Sequence, residues 1–252
     1  MNSAFKPQND MAGWPPENTV FPVARIDLKV ITGDHPFHLN EAAAAQENWK
    51  REIASNPALY DGRMIFQHRL EVSEQAVAGE GYVTPFSTFM WWRKHRERGG
   101  GFHVFAFPVA VSSDGAIIAI RMAQHTANPG QVYCAAGSMD ENDIVDDRCD
   151  VEGNMRREVL EETGLGLDLD VAVAEPGYYA THANRSVTLF RIFRFPWTAD
   201  EMLEKIRAHM LVDEEKEIDG AVAIRSADPT AHRYSSAMPP ILAWFFARAE
   251  QL

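Results

Sequence analysis

Apolar and polar positions alternate with two distinct periods along this chain, and the periods predict its elements. Residues 21–31 (FPVARIDLKVI) set Val23, Arg25 and Asp27 against Ala24, Ile26 and Leu28, a two-residue period that predicts a strand. Residues 41–55 carry a helical pattern with Asn40 as a possible N-cap and Trp49 on the inner side, and Pro57 ends it. Residues 63–72 predict a second strand. Residues 84–98 predict a helix capped by Thr84, with Pro85 at its first position and Phe86, Phe89 and Met90 facing inward. Strands are then expected at 103–112 and 116–122, as a hairpin about Ser113-Asp114-Gly115, and at 131–134. After an acidic helix come strands at 167–174 and 186–195, a helix at 199–211, a strand at 218–224 and an amphipathic helix at 240–252. The intervening Tyr178, Tyr179 and His182 read as a loop.

This order predicts an α/β protein with a mixed sheet. Three parts are expected: a Pro- and Asn-rich arm at 1–20, poorly ordered with Trp14 free to dock; an α+β appendage at 21–98; and a main domain at 99–252. The break is placed at Gly99-Gly100-Gly101.

The chemistry concentrates at 137–165, GSMDENDIVDDRCDVEGNMRREVLEETGL. On a helix, Glu158, Glu161 and Glu162 occupy i, i+3 and i+4 and share a face, while Met155 and Val159 lie on another side and can anchor it to a core. Gly164 suits the left-handed residue that ends a helix. Two readings follow: a solvated acidic face with a basic neighbour, or carboxylates gathered for a hard cation, Mg²⁺ or Mn²⁺.

The stretch resembles the Nudix box, G-x5-E-x7-R-E-U-x-E-E-x-G-U with U apolar. Arg157, Glu158, Val159, Glu161, Glu162, Gly164 and Leu165 fill every specified place of its second half, and Gly137 supplies the leading glycine. The first half departs: Arg157 lies six residues further from Gly137 than the pattern places it. Counting forward puts Asp143 at the first glutamate's place; counting back puts Cys149 there, beside Asp150. The "PGG" common before the box is here Ala135-Ala136-Gly137. The resemblance implies a Nudix-type α/β/α sandwich with a mixed sheet, plus the N-terminal appendage. It implies Mg²⁺-dependent (or Mn²⁺-dependent) hydrolysis of a nucleoside diphosphate linked to another moiety. Glu158, Glu161 and Glu162 would be the ligands, one of them open as a base, with Gly137 beside the metal and Arg157 orienting Glu161. A further acid from a later loop has Glu214, Glu215 and Glu217 as candidates. The leader Trp49, Asn56-Pro57-Ala58-Leu59-Tyr60-Asp61-Gly62 is similar to that of the UDP-glucose pyrophosphatase branch, which implies a nucleotide sugar; a turn into a strand explains it equally. Coenzyme A or dinucleotide pyrophosphatase activity, and a non-catalytic fold that binds a nucleotide or a protein, stay open.

Beyond the box, Arg121, Tyr179 and His182 are candidate substrate contacts. Arg93, Lys94, Arg96 and Arg98 form a basic tip, which reads either as charge at a helix C-terminus or as a phosphate-contacting patch. The net charge of −12 argues against a general nucleic-acid surface but leaves room for a local basic pocket. The two cysteines suggest reduced thiols, no apolar run of about 18 residues is present, and no signal pattern opens the chain, so a cytoplasmic, non-membrane protein is expected. The expected partner is a small-molecule nucleoside diphosphate, with a homodimer open.

Overall fold

The computed structural model of the 252-residue chain describes residues 10–168 and 171–249. In chain order the elements are β1 (Phe21–Val23), β2 (Ile26–Val30), α1 (Pro36–Ser55), β3 (Arg63–Val72), β4 (Val77–Pro85) and α2 (Phe86–Lys94). They continue as β5 (His103–Val111), β6 (Ile117–Met122), β7 (Val132–Tyr133), β8 (Ile144–Val145), β9 (Arg148–Cys149), α3 (Val151–Thr163) and β10 (Val173–Ala174). The chain closes with β11 (Tyr178–Ala183), β12 (Ser186–Arg194), α4 (Ala199–Met210), β13 (Ile218–Ile224) and α5 (Met238–Ala249).

Among the described residues two mixed sheets result, with five α-helices. The larger has the order β1-β11-β12-β5-β6-β13, with β10 on β12 and β7 on β6; the smaller has the order β3-β4-β2-β9-β8. Strands β12 and β5 run parallel over nine paired positions, from Ser186 opposite His103 to Arg194 opposite Val111. Helix α3 packs on β5, and α4 packs on β6, β13 and α3. The mixed α/β architecture is consistent with the α/β/α sandwich expected from the sequence. A small second core of Trp49, Met64, Phe66, Phe89, Met90 and Trp92 lies under α1 and α2. No described helix is long and apolar enough to cross a membrane, and Cys134 and Cys149 are both free.

Several boundaries differ from the sequence reading. The strand expected at 21–31 is two: β1 pairs with β11 in the larger sheet, and β2 pairs with β4 and β9 in the smaller. The alternation changes phase at the break: Phe21 and Val23 are the buried positions of the first strand and Leu28 that of the second. Helix α1 begins at Pro36, where the His35 Nδ1 accepts from the Phe37 amide at 3.0 Å, so His35 rather than Asn40 caps it. Helix α2 begins at Phe86, with Pro85 rather than Thr84 at its N-cap position and no side-chain cap, and ends at Lys94, followed by a short 3-10 turn at Arg96–Arg98. The loop expected at 178–183 is the strand β11, held by β1 on one side and β12 on the other. Strand β4 escaped the periodicity because Gly79 and Gly81 interrupt its pattern. Of the strand expected at 167–174 only Val173–Ala174 is one; residues 169–170 lie outside the described residues.

The two parts set off at Gly99 are tied to each other. Strand β1 belongs to the larger sheet, β9 joins β2 from the other direction, and one hydrophobic core takes Leu28, Ile65 and Leu70 together with Val104, Met155 and Leu189. Of the arm at 1–20, residues 1–9 lie outside the described residues. Trp14 is docked with its ring 5.2 Å from Phe102 and 5.1 Å from His182.

Candidate functional site

The site is built from α3 upward. Asp150 caps the helix by accepting from the Gly153 amide at 2.9 Å, and Gly164 ends it in the left-handed region at φ 68°. Met155 and Val159 are buried in the main core and fix the helix's rotation. That rotation carries Glu158 and Glu162, one turn apart, into the interior with Asn154, while Glu161 stays at the solvent edge. The three glutamates share a side of the helix, yet only the i, i+4 pair is buried.

The approach of α3 to the chain before it is close. A Cβ on Gly137 would stand 2.4 Å from the Glu158 Oε2, so any larger residue there would push that carboxylate from its place. Arg157 is the hub of the charged network. Its Nη2 lies 2.9 Å from Asp143 Oδ2 and 2.9 Å from Glu158 Oε1, and its Nη1 lies 3.0 Å from Glu161 Oε2. Asn154 donates to Asp143 Oδ2 at 3.0 Å and to Glu158 Oε1 at 3.4 Å. Asp143 is buried and also accepts from the Asp140 amide at 2.9 Å.

These contacts resolve the irregular first half of the motif. Asp143, reached by counting forward from Gly137, is the residue that meets Arg157. The six surplus residues, Ile144 to Cys149, are the β8–β9 hairpin, whose turn holds Asp146 and Asp147 at φ 48° and 58°. The Asp150 amide donates to the Asp143 carbonyl at 2.7 Å, which closes the hairpin at its base. The insertion thus leaves the framework intact and extends the smaller sheet, with Arg148 opposite Lys29 and its Nε 2.9 Å from Asp27 Oδ1.

Burial dominates the electrostatics. Desolvation raises the Glu158 carboxyl to about 8, against the lowering pull of Arg157, with Glu161, Asp143 and Glu217 adding to the rise. Glu162 is raised well above the ordinary carboxylate range, first by burial and then by the charges of Glu158 and Glu217. Glu217, at the rim of the adjoining cleft, is also raised, by desolvation first and then by Glu215. Glu162 Oε2 is buried without a hydrogen-bond partner. Glu158, Glu162 and Glu217 are therefore hard oxygen donors that repel one another, a set that suits a divalent cation. Among the described residues no three such side chains already converge on a single point; Glu161 is held at the edge by Arg157.

Beside this acidic end opens a cleft of about 680 Å³, walled by residues from both parts of the chain. Glu162, Gly137 and Glu217 lie at one part of its lining. Phe89, His103, Phe105 and Tyr133 supply flat rings, with His103 4.6 Å from Phe89 and 4.9 Å from Phe105. The leader residues Leu59, Tyr60 and Gly62 line it too.

The candidate substrate residues separate. His182 lines the cleft; its Nε2 lies 2.6 Å from the Pro15 carbonyl, so that nitrogen donates, and its Nδ1 is buried without a partner. Arg121 pairs with Asp219 and does not line the cleft. Tyr179 packs between Phe190 and Trp244, with rings 5.5 and 4.5 Å away, and does not line it either. Of the late acids, Glu217 lines it and Glu214 and Glu215 do not. Asn154 escaped the sequence reading, although it stands one turn before Glu158 on the same face.

No protein-family model and no curated protein matches this chain. Among solved structures, similar folds include the MutT protein from Methanosarcina mazei, at 12% identity over 59% of this chain and 96% of that one, with a TM-score of 0.38. The ORF135 protein of E. coli is similar at 15% identity over 60% of this chain and 94% of its own, with a TM-score of 0.37. A Nudix hydrolase from M. smegmatis, RenU, is similar at 10% identity over 62% and 92%, with a TM-score of 0.39.

Proposed function

We propose that this chain is a Nudix-type hydrolase of phosphoanhydrides. Its particular reaction, on this reading, is cleavage of a nucleoside diphosphate linked to a second moiety, with water adding to one phosphorus as a bridging P–O bond breaks. The products are a mononucleotide and the phosphorylated moiety. The observation that carries the reading is the place of Glu162: a buried carboxylate that lines an aromatic-walled cleft together with Glu217, one helical turn from a second buried carboxylate, Glu158, that repels it.

Glu158, Glu162 and Glu217, with Glu161 if it leaves Arg157, are the residues that would hold Mg²⁺ or Mn²⁺. Bound there, the cation would supply charge neutralisation of the diphosphate and Lewis acidity. The chain's own part is positional. Arg157 and Asp143 lock the rotation of α3, and Gly137 lets the backbone approach Glu158. The rings of Phe89, Phe105 and Tyr133 offer a face to a nucleobase and exclude water. The resemblance of the leader to nucleotide-sugar enzymes gains support from its place on the cleft wall. A coenzyme A or dinucleotide substrate draws its support from Arg93 and Arg96 on the cleft wall.

A panel of UDP-glucose, ADP-ribose, NADH and coenzyme A, assayed for mononucleotide release with and without Mg²⁺ or Mn²⁺, tests the reading. Metal-dependent release from at least one is expected. Nucleotide binding without any release would replace the hydrolase with a binding protein.

A further inference from the structure

The wall of the cleft also carries charge of the opposite sign. Arg93, in the last turn of α2, and Arg96, in the 3-10 turn that follows, both line it. Their neighbours on the same segment are paired: Lys94 with Glu52 and Arg98 with Glu97. Arg93 meets neutral acceptors instead, Asn128 Oδ1 at 3.0 Å and the Ala127 carbonyl at 3.2 Å. Arg96 lies over the Trp92 ring at 5.3 Å, and its Nε is buried with no hydrogen-bond partner. Neither guanidinium is ion-paired to a carboxylate among the described residues.

Two half-buried like charges that form no ion pair are costly, and the cost shows in both. Burial lowers the pKa of Arg93, against the raising pull of Glu52, and lowers that of Arg96, where the charge of Arg93 lowers it further. The same two charges, after burial, hold the adjacent His103 low, at about 3, so its ring is neutral and the local excess is that of two arginines. A dianion neutralises such a pair, and guanidinium forks match the oxygens of a phosphate. The acidic end of the cleft cannot receive a bare phosphate, whereas this wall asks for one.

We infer that Arg93 and Arg96 form a subsite for a phosphomonoester carried by the substrate away from its diphosphate, on the nucleoside or on the linked moiety. The inference rests on the hydrolase reading for its place in a reaction, but the subsite itself is a matter of binding. It selects, within the class proposed above, nucleoside diphosphate compounds that bear an additional phosphate.

The test has a binding arm and a kinetic arm. In the first, adenosine 3′,5′-bisphosphate, adenosine 2′,5′-bisphosphate and AMP are titrated calorimetrically against the full chain without metal. At least one bisphosphate is expected to bind about tenfold more tightly than AMP, the advantage of a charge-assisted contact. Arg96→Gln should cut that advantage to below about threefold, and Arg96→Lys should keep part of it, with melting temperatures confirming that both variants fold. In the second arm, kcat/KM is compared for coenzyme A against dephospho-coenzyme A and for NADPH against NADH, and one phosphorylated member should lead about tenfold in the wild type only. Bisphosphates that bind no better than AMP, or an advantage that survives Arg96→Gln, would overturn the subsite. A binding preference without turnover of any compound would leave the subsite standing and reject the hydrolase.

Discussion

The Asp150 amide donates to the Asp143 carbonyl at 2.7 Å, and so brings together two residues seven apart in the chain. Everything between them is a hairpin that leans on β2. Deleting residues 144–149 should therefore join Asp143 to Asp150 and leave Arg157 its partner. Loss of the β9–β2 pairing should cost about 1–2 kcal/mol, a fall in melting temperature of about 2–8 °C. Turnover on the best panel substrate should stay within about tenfold of wild type. Complete loss of turnover in a folded deletion variant would show that the hairpin belongs to the site.

Asp143→Ala removes the buried partner of Arg157 and leaves a half-buried guanidinium against Glu158 and Glu161. Because Arg157 keeps two carboxylate partners, the loss is that of a charge-assisted hydrogen bond and the packing around it, about 1.5–3 kcal/mol. Denaturant unfolding should record that loss, and turnover should fall with it because α3 loses its lock. A change below about 1 kcal/mol would mean that Asn154 alone holds the helix.

Glu161→Gln and Glu162→Gln should each remove nearly all hydrolysis, by about 10³-fold at saturating Mg²⁺, if both carboxylates are ligands. Their effects on stability should differ. Glu162 is buried among Glu158 and Glu217, so Glu162→Gln should raise the melting temperature of the metal-free protein, whereas Glu161→Gln weakens an exposed pair with Arg157 and should leave it nearly unchanged. Near-normal turnover in either variant contradicts its assignment as a ligand.

Stability of the metal-free protein should fall as pH rises. Glu158 is raised from an ordinary 4.5 to about 8, so the folded chain keeps a proton that the unfolded chain releases. Glu162 shifts the same way. Their contribution is complete below about pH 4.5 and is lost as pH climbs towards and past 8. Mg²⁺ should restore it, with a protection that grows with pH. Thermal melts from pH 5 to 8.5, with and without EDTA, check both signs; a metal-free melting temperature that rises across this range would refute the account.

Trp14→Ala should destabilise the chain by about 2 kcal/mol and loosen the cleft beside His182. The ring fills the space between Phe102 and His182, and the Pro15 carbonyl next to it fixes the His182 tautomer. Equal nucleotide affinity in this variant would mean that the docked segment only covers the core.

By itself the sequence determined the helix of the acidic motif, its end at Gly164, and the alternating strands at 63–72, 103–111, 186–194 and 218–224, because each rests on local periodicity or on one residue's backbone preference. It also placed Arg157 beside Glu161, one turn apart. Tertiary structure decided the rest. Only packing could show that Asp143, and not Cys149, faces Arg157, since the hairpin that separates them is closed by hydrogen bonds across six residues. Only the rotation of α3 against β5 could bury Glu158 and Glu162 and leave Glu161 outside. Arg121 and Tyr179 look alike to Arg93 and His182 in a string of letters, but sheet pairing turns the first two to Asp219 and Trp244 and the fold brings the others to the cleft. Which side chains share a cavity depends on contacts between residues dozens of positions apart, and local pattern carries no record of those.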